Sequence, residues 1–148
     1  MPDEQWSDTV PMCIPPINSN SVSLLYGDSL YTFNPEGHIY NRALEKCQAI
    51  RGSLVTINTR DENEFLKCVA WTIDRQFNGV RWMTGLLNDG GTWKWASGAN
   101  VTVTSFFNEA DSQNGDCAVL ERGNQYEWTS FSCTNTNASY ICETKEIN

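Results

Sequence analysis

The spacing of the apolar residues changes along the chain, and each change predicts a different kind of element. Residues 24–26 and 30–33 are short apolar runs on either side of a turn, which predicts two strands. From residue 39 to residue 50 the apolar positions recur every three or four residues, the period of one face of a helix. Arg51-Gly52 predicts the end of this helix, and residues 53–57 are predicted to form a third strand.

A second helix is predicted by a capping pattern followed by an apolar stripe. Thr59 and Glu62 match a capping box, in which the threonine hydroxyl accepts a hydrogen bond from the third backbone N–H and the glutamate reaches back. The helix is predicted to end at residues 77–79, where Asn and Gly follow Phe. Its buried face is predicted from the residues at helical spacing: Phe65, Leu66, Val69, Ala70 and Ile73.

Beyond residue 80 the pattern is one of short strands separated by Asn, Gly and Ser clusters. Residues 96–116 are irregular and polar, and this stretch is longer than a connection between strands requires, so it is a candidate functional loop. Two helices followed by strands predict an α+β domain at residues 22–148, after a polar, proline-bearing linker at residues 1–21. The predicted strands are residues 80–87, 92–95, 117–120, 126–129 and 139–142.

Composition and charge narrow the classes of partner. The chain has 148 residues, of which 40% are hydrophobic and 19% charged, as in a single globular domain. A formal net charge of −8, with only ten lysines and arginines, argues against nucleic acid and against an anionic membrane surface. No stretch reaches the roughly 18 apolar residues of a membrane span, so we expect no direct membrane insertion.

The cysteines and the glycosylation sequons indicate an oxidising, extracellular compartment. Six cysteines are scattered without a CxxC pair, and His38 is the single histidine, which leaves zinc few ligands. Sequons begin at Asn100 and Asn137. The even number of cysteines predicts disulfide bonds, although six cysteines allow fifteen pairings. A lone histidine, with no GxSxG elbow and no phosphate-binding glycine loop, does not predict an enzyme.

Taken in order, several short motifs resemble the C-type lectin-like family over roughly residues 24–143. The resemblance implies an α+β fold in which two helices flank short antiparallel sheets with a long irregular loop. It also implies an extracellular recognition module that binds a protein or glycan ligand. The matching motifs are the helix-to-strand run 52–58, the WIGL-like strand 82–86, the WxWxxG-like stretch 92–98, and the closing positions Cys117, Trp128, Cys133 and Cys142-Glu143.

The family resemblance also implies two disulfide bonds, Cys47–Cys142 and Cys117–Cys133. Cys13 and Cys68 are left over, and three alternatives are open for them. Residues 6–14 resemble the end of a sushi (complement control protein) module, in which case the chain comes from a larger multidomain parent and Cys13 has lost its partner. Otherwise Cys13 bonds to Cys68, or Cys68 is a buried free thiol.

A calcium-dependent sugar site of the family type is predicted to be incomplete. Ala110 stands where the family has a proline in the long loop, Gly115 where it has a second acidic ligand, and Thr129-Ser130 where it has Asn-Asp. Glu109, Asp111 and Asp116, with Asn88 and Asp89 on a neighbouring turn, are most simply interpreted as solvated loop residues of an acidic protein, and the alternative is that they form a weak calcium site. The candidate ligand-binding residues are Phe107, Asn108, Glu109, Asp111, Asp116 and Trp128.

Two further positions complete the prediction. Glu62 and Glu143 match a structural calcium position that the family resemblance implies, but the capping box already explains Glu62. Of Phe106 and Phe107, at least one is expected to anchor the long loop, because two consecutive side chains of an extended segment face opposite ways. The alternative to a calcium-free recognition module is a calcium-dependent carbohydrate-binding lectin with a non-standard site.

Overall fold

The computed structural model describes residues 21–77, 81–104 and 115–145. The two helices are α1 (Tyr40–Ala49) and α2 (Arg60–Phe77). Among the described residues, neither helix combines the length and the apolar composition that a membrane-spanning helix requires. Within the described ranges the strands are β1 (Val22–Tyr26), β2 (Ser29–His38), β3 (Ser53–Leu54), β4 (Arg81–Asp89), β5 (Thr92–Trp95), β6 (Cys117–Glu121), β7 (Glu127–Phe131) and β8 (Ala138–Lys145).

The strands form one mixed sheet with the last strand near its centre. The order is β1-β2-β8-β4-β6-β7, with β3 paired to β8 and β5 paired to β4. All pairs are antiparallel except β4 and β8, which run parallel where Trp82 faces Ser139 and Met83 faces Tyr140. This architecture confirms the predicted α+β class, and the parallel pair joins the expected short sheets into a single sheet.

Each face of the sheet is covered by one helix. Successive residues of a strand point to opposite faces, so Trp82 joins the core beneath α2 while its neighbour Met83 joins the core beneath α1. The predicted stripe of α2 is confirmed at Leu66, Val69, Ala70 and Ile73, all fully buried. Burial of Leu66, Val69 and Ile73 contributes about 1.5–3 kcal/mol for each side chain, so α2 is held on the sheet mainly by apolar packing.

The segment after α1 is shorter as a strand than the sequence predicted. The helix closes with a left-handed Arg51, φ 66°, and Gly52 follows because a Cβ there would lie 2.6 Å from the Glu143 carbonyl oxygen. Only Ser53–Leu54 pair as a strand, although the prediction covered residues 53–57. The chain then passes between β8 and β4, where the Val55 N–H donates to Ile141 O and Val55 O accepts from Gly85 N.

The start of α2 differs in one detail from a capping box. The Thr59 hydroxyl accepts from the Glu62 N–H at 3.0 Å, as predicted. The Glu62 carboxylate, however, accepts from the Asn58 N–H at 2.8 Å, one residue before the cap. Glu62 therefore fixes the chain entering the helix, and its second carboxylate oxygen is free to contact β2.

Two disulfide bonds confirm the pairing implied by the family resemblance. Cys47–Cys142 ties α1 to β8 across a sequence separation of 95 residues, and Cys117–Cys133 ties β6 to the segment after β7 across 16 residues. In the chain-entropy model such loops contribute on the order of 4–5 and 3 kcal/mol. Cys68 is also disulfide-bonded, so the free-thiol alternative is wrong. Cys13 lies outside the described residues, and a Cys13–Cys68 bond stays a prediction.

Three buried polar side chains attach α2 to the sheet. Asn63 accepts a hydrogen bond from the Trp128 indole at 3.0 Å, and Lys67, which is 7% exposed, pairs with Glu127 at 3.2 Å. Asp74 accepts from the Trp82 indole at 3.1 Å and from the Tyr126 hydroxyl at 2.6 Å. Such bonds fix the rotation of the helix on the sheet, because a buried polar group without its partner costs more than a missing apolar contact.

Asp74 holds a strained turn in addition to the helix. Burial raises the pKa of Asp74, while the hydrogen bonds from Tyr126 and Trp82 and the charge of Arg122 act in the opposite direction. Tyr126 and the preceding Gln125 are both left-handed, with φ of 64° and 60°. Non-glycine residues adopt this region at a cost, so the bond between Tyr126 and Asp74 compensates for strain in the turn before β7.

We expect Tyr126→Phe to lower the free energy of unfolding by about 1.5–3 kcal/mol, because it removes a donor from a buried carboxylate. The matched control is Tyr26→Phe, which also loses a hydroxyl but keeps the stacking of its half-buried ring on Phe65 at 4.4 Å. Urea unfolding followed by tryptophan fluorescence measures both. Equal losses in the two variants would contradict the role given to Asp74.

Candidate functional site

The structure describes part of the predicted ligand-binding set. Asn88, Asp89, Asp116 and Trp128 lie on described strands and turns. The long-loop residues predicted to bind a ligand, Phe107, Asn108, Glu109 and Asp111, lie outside the described residues, as does the expected anchor Phe106. The geometry of the site is therefore built from the β4–β5 turn, the start of β6 and strand β7.

The turn between β4 and β5 places Asn88 beside the start of β6. Gly90 and Gly91 have φ of 64° and 96°, the left-handed values that a tight two-residue hairpin needs. The Asn88 side-chain oxygen accepts from the Gly91 N–H at 3.0 Å, which closes the turn. The Asn88 N–H donates to the Asp116 carbonyl at 2.8 Å. Asn88 and Asp116 are therefore neighbours, and the Asp89 and Asp116 side chains are exposed.

Gly115 is enclosed by the backbone at the end of β7. A Cβ added to Gly115 would lie 2.2 Å from both the carbonyl carbon and the carbonyl oxygen of Phe131, and 2.7 Å from Ser132 N. The Cys117–Cys133 disulfide bond holds the two segments together at this point, with the Cα atoms 5.3 Å apart. The position at which the family resemblance implies a second acidic ligand has no room for any side chain.

Trp128 and the two residues after it face the interior more than the solvent. The Trp128 ring is 1% exposed, lies edge-on to Trp95 with the ring centroids 5.7 Å apart, and donates to Asn63. Ser130 is 2% exposed, and the Thr129 hydroxyl accepts from the Asn124 amide at 2.7 Å. A ligand contact by Trp128, as the sequence predicted, would require the indole to leave this packing.

The described part of the loop site does not by itself fit calcium. Calcium prefers six to eight oxygen ligands, with carboxylates among them. Within residues 21–77, 81–104 and 115–145, no three His, Cys, Asp or Glu side chains converge on one point. Asp89 and Asp116 are the carboxylates placed here, and one lone pair of the Asn88 amide oxygen is engaged in the turn. The remaining predicted ligands, Glu109 and Asp111, lie outside the described residues.

The second predicted calcium position, at Glu62 and Glu143, is a buried, hydrogen-bonded polar corner. Both carboxylates are 7% exposed. Glu62 accepts from the Asn58 N–H and from the Tyr31 hydroxyl, one donor to each oxygen. Glu143 accepts from the Thr56 N–H at 3.0 Å on one oxygen and from the Ser29 hydroxyl at 2.7 Å on the other.

Every carboxylate oxygen of this corner thus already has a donor from the protein. Burial raises the pKa of Tyr31, and its hydrogen bond to Glu62 and the negative charge of Glu143 raise the pKa further, so the phenol remains a donor. The Lys145 ammonium lies 3.4 Å from the Glu143 oxygen that Ser29 also contacts. These residues do not fit a bound calcium ion, because the ion would have to displace donors that are already in place.

Both predicted glycosylation positions lie at the surface. The Asn100 and Asn137 side chains are exposed. The hydroxyl of Thr102, in the first sequon, donates to Asn58 O at 2.9 Å, and that of Ser139, in the second, donates to Pro35 O at 2.6 Å.

Sequence reasoning missed the partners that fix these carboxylates. Lys145, Ser29 and Tyr31 were not singled out, and neither was Asp74. The sequence contained a signal for Lys145, Ser29 and Tyr31. Ser29 and Tyr31 are two residues apart, and so are Glu143 and Lys145, so that each pair shares one face of its own strand. The signal could be used only with the pairing of β2 and β8, which no local pattern specifies.

Comparison with proteins of known sequence groups the chain with lectins. The sequence model described as "Lectin C-type domain" matches residues 36–144. A perlucin-like protein of Mytilus galloprovincialis is 27% identical over 140 residues, which are 88% of this chain and 85% of that protein. Mouse lymphocyte antigen 75 is 26% identical over 121 residues, 80% of this chain, but the chain spans only 7% of its length.

Comparison with solved structures gives the same fold. Human lithostathine superimposes with a TM-score of 0.74 at 24% identity, covering 84% of this chain and 97% of that one. A calcium-independent C-type lectin, SPL-2 from Saxidomus purpuratus, superimposes with a TM-score of 0.73 at 20% identity, covering 82% of this chain and 90% of that one. At these identities the likeness is one of fold.

We expect Gly115→Ala to destabilise the protein by about 1–3 kcal/mol, because its Cβ would overlap the Phe131 backbone. Gly123→Ala is the matched control, since the nearest atom to a Cβ there is 4.0 Å away, in the Glu121 side chain. Thermal unfolding of the two variants tests the difference. A Gly115 variant as stable as the Gly123 variant would show that the two segments can move apart and admit a ligand side chain.

Proposed function

The chain belongs to the C-type lectin domain family, and we propose that it is an extracellular recognition module whose ligand, a protein or a glycoconjugate, is bound without a complete calcium-dependent sugar site. The observation that carries this proposal is the contact at Gly115. A site that takes sugar hydroxyls into the shell of a calcium ion needs several carboxylates, and at this position the backbone at the end of β7 occupies the space of a ligand side chain.

The neighbouring positions support the same proposal. Thr129 and Ser130 bear hydroxyls where carboxylate and amide ligands would be needed, and Ser130 is buried. Asp116 and Asp89 remain exposed at the edge of the site, where they give a negative surface suited to polar or cationic groups of a ligand. The fold of SPL-2, described as calcium-independent, is compatible with recognition of this kind.

A second candidate function is calcium-dependent carbohydrate binding by a non-standard site. The observation that favours it is the backbone bond between Asn88 and Asp116, which brings one amide and two carboxylates, those of Asp89 and Asp116, to one end of the sheet. With Glu109 and Asp111 these residues would make a weak calcium site. We do not propose a catalytic role, because the buried carboxylates Glu62, Asp74 and Glu143 all accept structural hydrogen bonds.

The wider setting is also proposed. We propose a secreted or cell-surface domain at residues 22–148, glycosylated at Asn100 and Asn137, within a larger multidomain parent. The small share of lymphocyte antigen 75 that the chain spans is consistent with such a parent. The resemblance of residues 6–14 to the end of a sushi module would make that module the preceding domain. A Cys13–Cys68 bond, detected by peptide mapping without reduction, would instead favour an N-terminal extension of this domain.

We expect calcium to bind the long loop with a dissociation constant no tighter than about 1 mM, the weak end of extracellular sites, because the missing ligands remove both charge and coordination. Binding of mannose or galactose is then expected to be weak or absent. Isothermal calorimetry of the wild type and of Glu109→Ala measures the first point. Micromolar calcium binding that disappears in Glu109→Ala would contradict the proposal and favour the second candidate function.

A glycan array probed with calcium and then with chelator tests the recognition function itself. We expect any signal to be equal under the two conditions and to fall at least about threefold in Asp116→Ala. Asp28→Ala is the matched control, since its carboxylate is 87% exposed on the β1–β2 turn. A signal lost with chelator supports the calcium-dependent alternative. A calcium-independent signal that survives Asp116→Ala would place the contact surface elsewhere.

A further inference from the structure

The corner formed by β2, β8 and the start of α2 contains a lysine in contact with a buried carboxylate. In the register of the two strands, Ser29 faces Lys145 and Tyr31 faces Glu143. Alternate residues share one face, so these four side chains point together toward the face that α2 covers. Glu62, in the first turn of α2, closes the corner through the Tyr31 hydroxyl.

The Lys145 ammonium is bonded to the same atoms that a metal ion would need. It donates to the Ser29 hydroxyl oxygen at 2.9 Å and lies 3.4 Å from a Glu143 carboxylate oxygen. The Ser29 hydroxyl in turn donates to that carboxylate at 2.7 Å. Among the described residues the ammonium is thus the cationic group in contact with Glu143, since the other donors to Glu143 and Glu62 are backbone N–H groups and neutral hydroxyls.

We infer that Lys145 supplies the positive charge of this corner and thereby excludes calcium from Glu62 and Glu143. Two carboxylates that are each 7% exposed require nearby positive charge, because an unpaired buried charge is costly. Lys145 supplies this charge at a low desolvation cost, because its side chain is 64% exposed and keeps most of its hydration. The ammonium of Lys145 therefore supplies the positive charge that keeps this corner folded, and no bound metal ion is needed for it.

The same geometry explains why the ion and the lysine exclude one another. A calcium ion would need Glu143, Glu62 and the Ser29 hydroxyl among its six to eight oxygens. Lys145 occupies one side of both Ser29 and Glu143, and an ammonium beside a divalent ion is repelled. Removal of the ammonium takes away the repelling charge and lets the Ser29 hydroxyl, which then has no donor from Lys145, turn its proton away from Glu143. One Glu143 oxygen and the Ser29 oxygen then become available to a metal that the wild type does not take.

The test is the effect of calcium on the midpoint of thermal unfolding (Tm) of the whole chain, in the wild type and in Lys145→Met. Methionine keeps the apolar stem of the lysine and removes the charge and the donor. At about 10 mM calcium, a site created at the millimolar end of the range raises Tm by about 3 °C or more. We expect that rise in Lys145→Met beyond any rise in the wild type, so that weak binding at the long loop cancels in the comparison.

Three controls make the outcome decisive. Lys46→Met removes a lysine from the last turn of α1 and should respond to calcium as the wild type does. The double variant Lys145→Met with Glu143→Gln should lose the gain, and magnesium, which tolerates only tight octahedral geometry, should not reproduce it. A wild type that gains as much as Lys145→Met, or a Lys145→Met that gains nothing beyond it, would overturn the inference. The long-loop proposal is unaffected by either result, because it rests on other residues.

Discussion

The fold depends on its last strand, which is inserted near the middle of the sheet. Strand β8 pairs with β2, β3 and β4, so β1 and β2 on one side join the rest of the sheet only through it. Ser29 pairs with Lys145 across more than 100 residues, and contacts of such long range form only after a large loss of chain entropy. The Cys47–Cys142 bond fixes this strand to α1, and so acts on the contact that is hardest to form.

Strand β8 also contributes side chains to both apolar cores, one on each face of the sheet. Ile141 joins the core beneath α2, while Tyr140 and Cys142 join the core beneath α1. One step further along the strand, Glu143 holds the Thr56 N–H of the segment that leaves β3, and Lys145 reaches back to Ser29. A strand that is buried on both faces and bonded at its end leaves little freedom to its neighbours, which is why the corner at Glu143 can be ordered by protein groups alone.

The parts of the structure that were predictable are those with a local signal. The stripe of α2 from Leu66 to Ile73 follows a helical period, and the Thr59 cap is a short motif, so both could be recognised in the sequence and both are confirmed. The disulfide pairing needed the family resemblance, because spacing alone leaves fifteen possibilities. Gly115 could be recognised only as a missing ligand, since its real constraint is the Phe131 backbone 16 residues away. Lys145 and Asp74 were missed because their roles depend on strand register and on partners distant in sequence.

The residues that stabilise the fold are separate from those that we propose to face a ligand, and this separation determines which positions can be substituted without loss of stability. The helix α2 is attached to the sheet by Asn63, Lys67 and Asp74, and its first turn meets β2 and β8 through the corner of Glu62, Glu143 and Lys145; all of these side chains are bonded within the protein. None of these bonds involves Asp89 or Asp116, whose side chains are exposed at the end of the sheet. Exposed substitutions away from buried bonds usually change stability by less than about 0.5 kcal/mol. The edge at Asp89 and Asp116, which we propose to face a ligand, can therefore change its charge and its contacts while the sheet and its two helices remain in place.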